Sequence, residues 1–272
     1  ENANAKYIKI GSRISGNATI TEDILTEYNT GSFIKVFRDE QQIQNTNDIK
    51  ALYDVVGFDT NIISINHRGA NGYPENTLIG FKEAKKLGFK YVESDVRFTS
   101  DGVAVMLHDE SINRTARNAD GSVISETVNI ADITYEQALQ YDFGIKYGEQ
   151  FAGTKIPTFS EFIKLCKYID LRPYIELKMP YGTAHELIYP LVDIVKSCDM
   201  IKKSAWVANI ASVVQAIVEK DSNAKCGIFV GELTQERLDV VNELLKKDNN
   251  EVFISCDYLD VTNDGVELCI NS

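Results

Sequence analysis

From Asn61 onward the chain alternates short β-rich apolar runs with amphipathic stretches, and this alternation restricts its fold more than any other feature. The runs are IISIN (62–66), YVESDV (91–96), VAVML (103–107), YIELK (174–178), SAWVA (204–208), CGIFV (226–230) and VFISC (252–256). Between them, TLIGFKEAKKLG places Leu78, Phe81, Ala84 and Leu87 on one helical face and closes on Gly88. TFSEFIKLC opens with Thr158 and Glu161 at capping-box spacing, ahead of Phe162, Cys166 and Ile169. TQERLDVVNELLKK carries acids in its first turn and Lys246 and Lys247 in its last, as the helix dipole favours. Strands that alternate with helices build a parallel sheet with helices outside it. The 272 residues suffice for one large barrel with a small attachment.

Two regions depart from the alternation. Only Val96 to Gly102 separates YVESD from VAVML, too short for a helical crossover of a dozen or more residues. T-S-D-G (99–102) reads locally as a hairpin turn, which makes the pair antiparallel. The extended segment is also long enough to run back along a barrel without a helix. The first sixty residues offer KYIKI and SFIKVF as strands, with EDILTEY and NDIKALYDVV as short helices. So small a segment struggles to bury a core of its own. Residues 1–58 are therefore expected to be an attachment or the tail of a preceding domain, and 59–272 the barrel. Residues 1–60 are also the expected route into any larger assembly. A chain that begins at Glu1 reads as a processed form or an excised piece.

Charge and composition exclude several classes. A formal net charge of −12 opposes a nucleic-acid surface, which needs clustered Lys and Arg to displace counterions. No run reaches the ~18 apolar residues of a membrane span, and no signal sequence is visible, so a soluble chain of unassigned compartment is expected. The cysteines Cys166, Cys198, Cys226, Cys256 and Cys269 are odd in number, widely spaced and set in apolar stretches. They read as buried free thiols rather than disulfides or a zinc site.

The polar groups at strand ends carry the chemistry. In YVESDV, Tyr91, Glu93 and Asp95 share one face; in YIELK, Tyr174, Glu176 and Lys178 do the same. Strands wrapped by helices are buried on both faces, so these charges cannot all reach water. Unpaired buried carboxylates are costly. Three of them beside a lysine suit a hard divalent cation with oxygen ligands, Ca²⁺ or Mg²⁺; the bland alternative is a set of buried ion pairs. His67 and His108 follow IISIN and VAVML directly, on the rim where barrel enzymes place acid–base groups. A lone histidine there is more often structural, and it is the pairing that points to catalysis. Arg68 can fork onto phosphate oxygens, and Gly69 lets backbone approach a ligand. His185, with no polar constellation around it, reads as surface.

These residues fall in an ordered series: N-H-R-G-A (66–70), P-E-N-T (74–77), E-S-D-V (93–96), T-S-D-G (99–102), H-D (108–109) with I-N-R-T (112–115), I-P-T (156–158) and E-L-K (176–178). The series resembles the glycerophosphodiester phosphodiesterase family. The resemblance implies a TIM-type (β/α)8 barrel lacking a regular helix between its second and third strands. It implies a divalent cation on Glu93, Asp95 and Glu176, an acid/base pair in His67 and His108, and phosphate contacts from Arg68 and Lys178. Glu75 matches a family acid near the site, and Asp109 is expected to orient His108. The implied reaction is hydrolysis of a small-molecule glycerophosphodiester to glycerol 3-phosphate and an alcohol.

Seven barrel strands are counted rather than eight, and the family's last strand, usually marked by a tryptophan and an asparagine, has no clear counterpart. The eighth strand is expected to be missing, the alternative being a degenerate strand over Val266 to Asn271. Two other functions compete. One is a phosphodiester lyase of the same superfamily, acting on lysophospholipid-type substrates. It is opposed by the missing disulfide framework and by the lack of an apolar membrane-facing loop. The other is a non-catalytic barrel module, favoured by the missing strand and opposed by the His67/His108 pair.

Overall fold

The longest strand, Tyr91–Phe98, is buried along its middle on both faces, as a strand between helices and a barrel interior must be. It belongs to a computed structural model that describes residues 8–11, 65–179, 185–231, 233–248, 252–257 and 264. The strands are β1 (Ile8–Gly11), β2 (Ile65–His67), β3 (Tyr91–Phe98), β4 (Ala104–Met106), β5 (Arg172–Leu177), β6 (Ala205–Ala208), β7 (Lys225–Val230) and β8 (Val252–Asp257). The α-helices are α1 (Leu78–Lys86), α2 (Tyr135–Ala138), α3 (Phe159–Ile169), α4 (His185–Ser197), α5 (Ala211–Lys220) and α6 (Gln235–Asp248).

The sheet runs β1-β8-β7-β6-β5-β3-β2, with every neighbouring pair parallel. The chain is thus an α/β barrel-type fold in which helices follow the strands, as the alternation implies. The Tyr174 and Phe253 rings, three strands apart in the sheet, lie 5.8 Å from centroid to centroid, so the sheet curls around its inner face. Gly227 permits this, because a Cβ there would sit 2.2 Å from the Phe253 ring.

VAVML is not a member of the parallel path. β4 pairs antiparallel with β3, Val96 facing Met106, and β3 pairs directly with β5. The turn explains why. Gly102 takes φ +78°, its N–H donates to the Thr99 carbonyl at 3.0 Å, and the Thr99 N–H donates to the Val103 carbonyl at 3.0 Å. The hairpin reading of T-S-D-G is the one that folds. Its place in the path is taken at the far end by β1, from the first sixty residues, which adds to β8 with Ile8 opposite Ile254. The other N-terminal elements expected from sequence, and the stretch Val266 to Asn271, lie outside the described residues.

Helix α1 starts where Thr77 accepts from the Gly80 N–H at 3.2 Å, and its Phe81 and Ala84 are fully buried. Helix α3 carries the expected capping box, Thr158 and Glu161 each bonding the other's backbone. Between β4 and α3, residues 107–156 form an excursion with a core of its own, including Leu107, Ile112, Ile130, Phe143 and Ile156. Cys166 and Cys226 are buried free thiols as expected, while Cys198 is only half-buried. Cys256 and Cys269 lie outside the described side chains, as does that of His185. Among the described residues, no helix is long and apolar enough to cross a membrane.

Candidate active site

Alternation along β3 and β5 carries Glu93, Asp95 and Glu176 to the same inner face, and the register sets Asp95 directly opposite Glu176. One ligand oxygen from each of the three lies within 4.8 Å of the others. Asp95 is fully buried and Glu93 nearly so. Burial first, and then the charges of Asp95 and Glu176, push the Glu93 carboxyl well above the usual range. Burial also works against the Asp95 charge, but Arg68, Lys178, His108 and Asn76 outweigh it and hold that carboxyl low.

The loop from β2 to α1 wraps this cluster. Arg68 and Asn76 both take left-handed backbone conformations, with φ +57° and +54°. The turn is closed by the Asn76 N–H donating to the Arg68 carbonyl at 2.8 Å. Asn76 then addresses Asp95 twice, its Nδ2 donating to Oδ2 at 2.9 Å and its Oδ1 accepting from the Asp95 N–H at 3.2 Å. Arg68 places Nε 3.0 Å from Asp95 Oδ2 and Nη1 3.4 Å from Glu75 Oε1. Lys178, on the chain just past β5, reaches both Glu176 and Asp95, the latter at 3.5 Å. Both cations expected to meet phosphate are thus at the site, and each lies against a carboxylate.

These residues fit a divalent cation. Glu93 Oε1 and Asp95 Oδ1 are buried oxygens with no hydrogen-bond partner, in a trio whose like charges oppose one another. Hard oxygen donors converging at this spacing are what Ca²⁺ or Mg²⁺ requires.

The histidines flank the trio. His67 Nε2 is 3.6 Å from Glu93 Oε2. His108 follows β4, and its Nδ1 lies 2.6 Å from Asp109 Oδ1. Burial pulls the His108 imidazole below its ordinary range, although Asp109 acts the other way. Glu75 joins the same network. Burial would raise its carboxyl, but Arg114 and Arg68 outweigh that and hold it low. Every site residue named from the sequence is therefore gathered at this end of the sheet.

Two participants were missed. Asn76 and Arg114 fall inside the P-E-N-T and I-N-R-T fragments, but nothing local gave either a partner. Both lie in irregular loops, and Arg114 bonds Glu75 from 39 residues away. The recurrence of both fragments in the ordered series was the available signal.

A family model described as the glycerophosphoryl diester phosphodiesterase family matches residues 67–225, more than half of the chain. The chain belongs to this family. The match begins at His67 and takes in the acidic trio, both histidines and the β4–α3 excursion. A glycerophosphodiester phosphodiesterase of Caldanaerobacter subterraneus subsp. tengcongensis is 43% identical over 115 residues, covering 42% of this chain and 44% of the relative. One from Bacillus subtilis is 36% identical over 125 residues, covering 44% and 41%. Human glycerophosphodiester phosphodiesterase 1 is 35% identical over 128 residues, covering 46% and 35%. The chain spans less than half the length of these curated relatives.

Solved structures agree on the fold. An Oleispira antarctica phosphodiesterase, in complex with the product sn-glycerol 3-phosphate, superposes with a TM-score of 0.66 at 22% identity, covering 76% of this chain and 80% of that one. The glycerophosphodiester phosphodiesterase of Agrobacterium tumefaciens gives 0.52 at 19% identity, covering 76% and 100%.

Proposed function

We propose that this member of the family hydrolyses glycerophosphodiesters to glycerol 3-phosphate and an alcohol, using a divalent cation and a histidine pair. The observation that carries the reading is the convergence of Glu93, Asp95 and Glu176 within 4.8 Å, flanked by His67 and His108. The names of the curated relatives and the product held by the Oleispira neighbour support the substrate class.

Glu93, Asp95 and Glu176 would hold Ca²⁺ or Mg²⁺, which supplies Lewis-acid stabilisation of phosphoryl charge. Arg68 and Lys178 share the negative charge of the phosphate, and their attachment to Asp95, Glu75 and Glu176 fixes them in place beforehand. One histidine takes a proton from the attacking hydroxyl while the other protonates the departing alkoxide, and they then exchange roles. His108, lowered by burial, is the neutral imidazole near pH 7, the form that can accept a proton. The nucleophile in the first step is the substrate's own hydroxyl beside the phosphorylated carbon. It needs no capture of a second molecule, a gain worth several kcal/mol. A cyclic phosphate results, and water opens it. Residues 59–272 carry this chemistry, and residues 1–58 are an attachment that adds β1 to their sheet.

The test compares glycerophosphocholine with its 2-deoxy analogue under Ca²⁺ or Mg²⁺, with cation binding measured separately by calorimetry. Turnover of the first and not the second is expected, and His67→Ala and His108→Ala should each lower the rate by roughly 10²–10⁴. Equal turnover of both would replace the internal nucleophile with water. Absence of turnover with a panel of glycerophosphodiesters, the cation bound, overturns the reading.

A further inference from the structure

A continuous polar chain runs from His108 to Arg68, and its central member is Arg114. His108 Nδ1 meets Asp109 Oδ1 at 2.6 Å, and Asp109 Oδ2 accepts from Arg114 Nε at 2.5 Å. On its other edge Arg114 forks onto Glu75, Nη1 to Oε2 at 2.7 Å and Nη2 to Oε1 at 2.6 Å. Glu75 in turn meets Arg68, the residue after His67.

We propose that Arg114 is a positioning residue, which fixes Asp109 against His108 and ties that pair to the Glu75–Arg68 loop. The inference rests on the reading of His108 as an acid/base group, but its geometry does not.

Donor accounting separates this role from direct phosphate binding. A guanidinium has five N–H donors in one plane. Four hydrogen bonds already leave Arg114, because Nη2 also donates to Asp109 Oδ1 at 3.3 Å. One N–H remains, whereas a bidentate phosphate contact needs two. The residue's backbone is held as well, since Lys146 Nζ donates to the Arg114 carbonyl.

Asp109 needs such a partner. It neighbours His108 in the chain and lies at a partly exposed position, where water competes for both of its oxygens. With Arg114 in place, Oδ2 is engaged and Oδ1 is directed at Nδ1. A carboxylate there puts the imidazole proton on Nδ1 and leaves Nε2 with the lone pair. Glu75 then fixes where this assembly stands relative to Arg68.

The experiment uses Arg114→Gln, Arg114→Lys, Asp109→Asn and the Arg114→Gln/Asp109→Asn double variant, all with melting temperatures recorded. The first readout is the ring ¹⁵N spectrum of His108, assignable because the chain has only three histidines. The wild type should show the Nδ1–H tautomer, and Arg114→Gln a mixture. The second readout is kcat and KM for glycerophosphocholine at saturating Mg²⁺. Arg114→Gln should lower kcat by roughly 10- to 100-fold with little change in KM, the range seen when an orienting partner is lost. The double variant should be no slower than Asp109→Asn alone, since both act through one path. Arg114→Lys, which keeps the charge but not the fork, should recover part of the loss. Additive losses, or a KM rise with an unchanged ring spectrum, overturn the proposal in favour of a phosphate contact. If the wild type turns over nothing, the functional reading falls, and the ring spectrum alone decides the role of Arg114: an unchanged tautomer overturns it.

Discussion

Asp109 holds the charge that the site asks of it at some cost in burial. Desolvation would raise its carboxyl, yet the bonds from Arg114 and His108 outweigh this and hold it down to about 2, from an ordinary 3.8. A carboxyl depressed in the folded state stabilises it above the ordinary value, and the contribution fades as pH falls through the folded one. Wild type should therefore be more stable than Asp109→Asn at pH 6, with the gap closing between about pH 4 and about pH 2. Chemical denaturation followed by circular dichroism at a series of pH values reads this directly, and a gap undiminished at pH 2 contradicts it. At this scale the acidic trio was legible, because a two-residue period puts Glu93 and Asp95 on one face of β3 and Glu176 on the same face of its own strand as Tyr174. Arg114 was not, because its partners come from separate loops and no periodicity describes a loop.

Helix α1 illustrates what pattern alone can and cannot reveal about an element. Its apolar face, Phe81 and Ala84 inward, follows from spacing. Gly80 looks by sequence like a mere weakness, since glycine inside a helix costs about 1 kcal/mol relative to alanine. In place, its Cα side faces the turn that carries Arg68 and Asn76. A Cβ would stand 2.8 Å from the Pro74 carbonyl oxygen and 3.7 Å from Gly69 Cα. The Ala70 N–H also donates to the Gly80 carbonyl at 3.1 Å, so loop and helix meet backbone to backbone. Gly80→Ala should thus lower the melting temperature in spite of its better helix propensity. It should also weaken Mg²⁺ binding, because the displaced loop carries Asn76, which holds Asp95. Calorimetry of both properties tests the pair, and an unchanged or raised melting temperature would mean that the loop yields freely. The β3–β4 hairpin is the reverse case. Its turn was readable at Thr99–Gly102, and so was its antiparallel direction, but not that β3 pairs directly with β5.

For the molecule as a whole, the missing eighth strand leads one to expect residues 1–60, a partner chain or neighbouring backbone along the exposed sheet edge. Which strand pairs with β8, and in what register, is beyond anything sequence could show. Ile8 and Ile254 stand opposite each other at almost the full length of the chain, and no local signal encodes a partner that distant. Neither strand falls within the segment matched by the family model. Without β1, β8 would present a row of unpaired N–H and C=O groups at the edge of the sheet, the arrangement through which chains associate wrongly. Proline tests whether β1 matters in this way, because it lacks the N–H that a ladder needs. Successive residues of a strand point their N–H groups to opposite sides, so one of Lys9 and Ile10 donates toward β8 and the other points away from it. Lys9→Pro and Ile10→Pro should therefore differ. The variant that removes the β8-facing donor should melt at lower temperature and scatter light on standing, while its neighbour, blocked only on the other side, should stay closer to wild type. Equal behaviour of both variants, indistinguishable from wild type, would mean that β1 contributes nothing to covering that edge. A difference between two adjacent positions, in contrast, is what pairing predicts and what general disturbance of residues 8–11 does not.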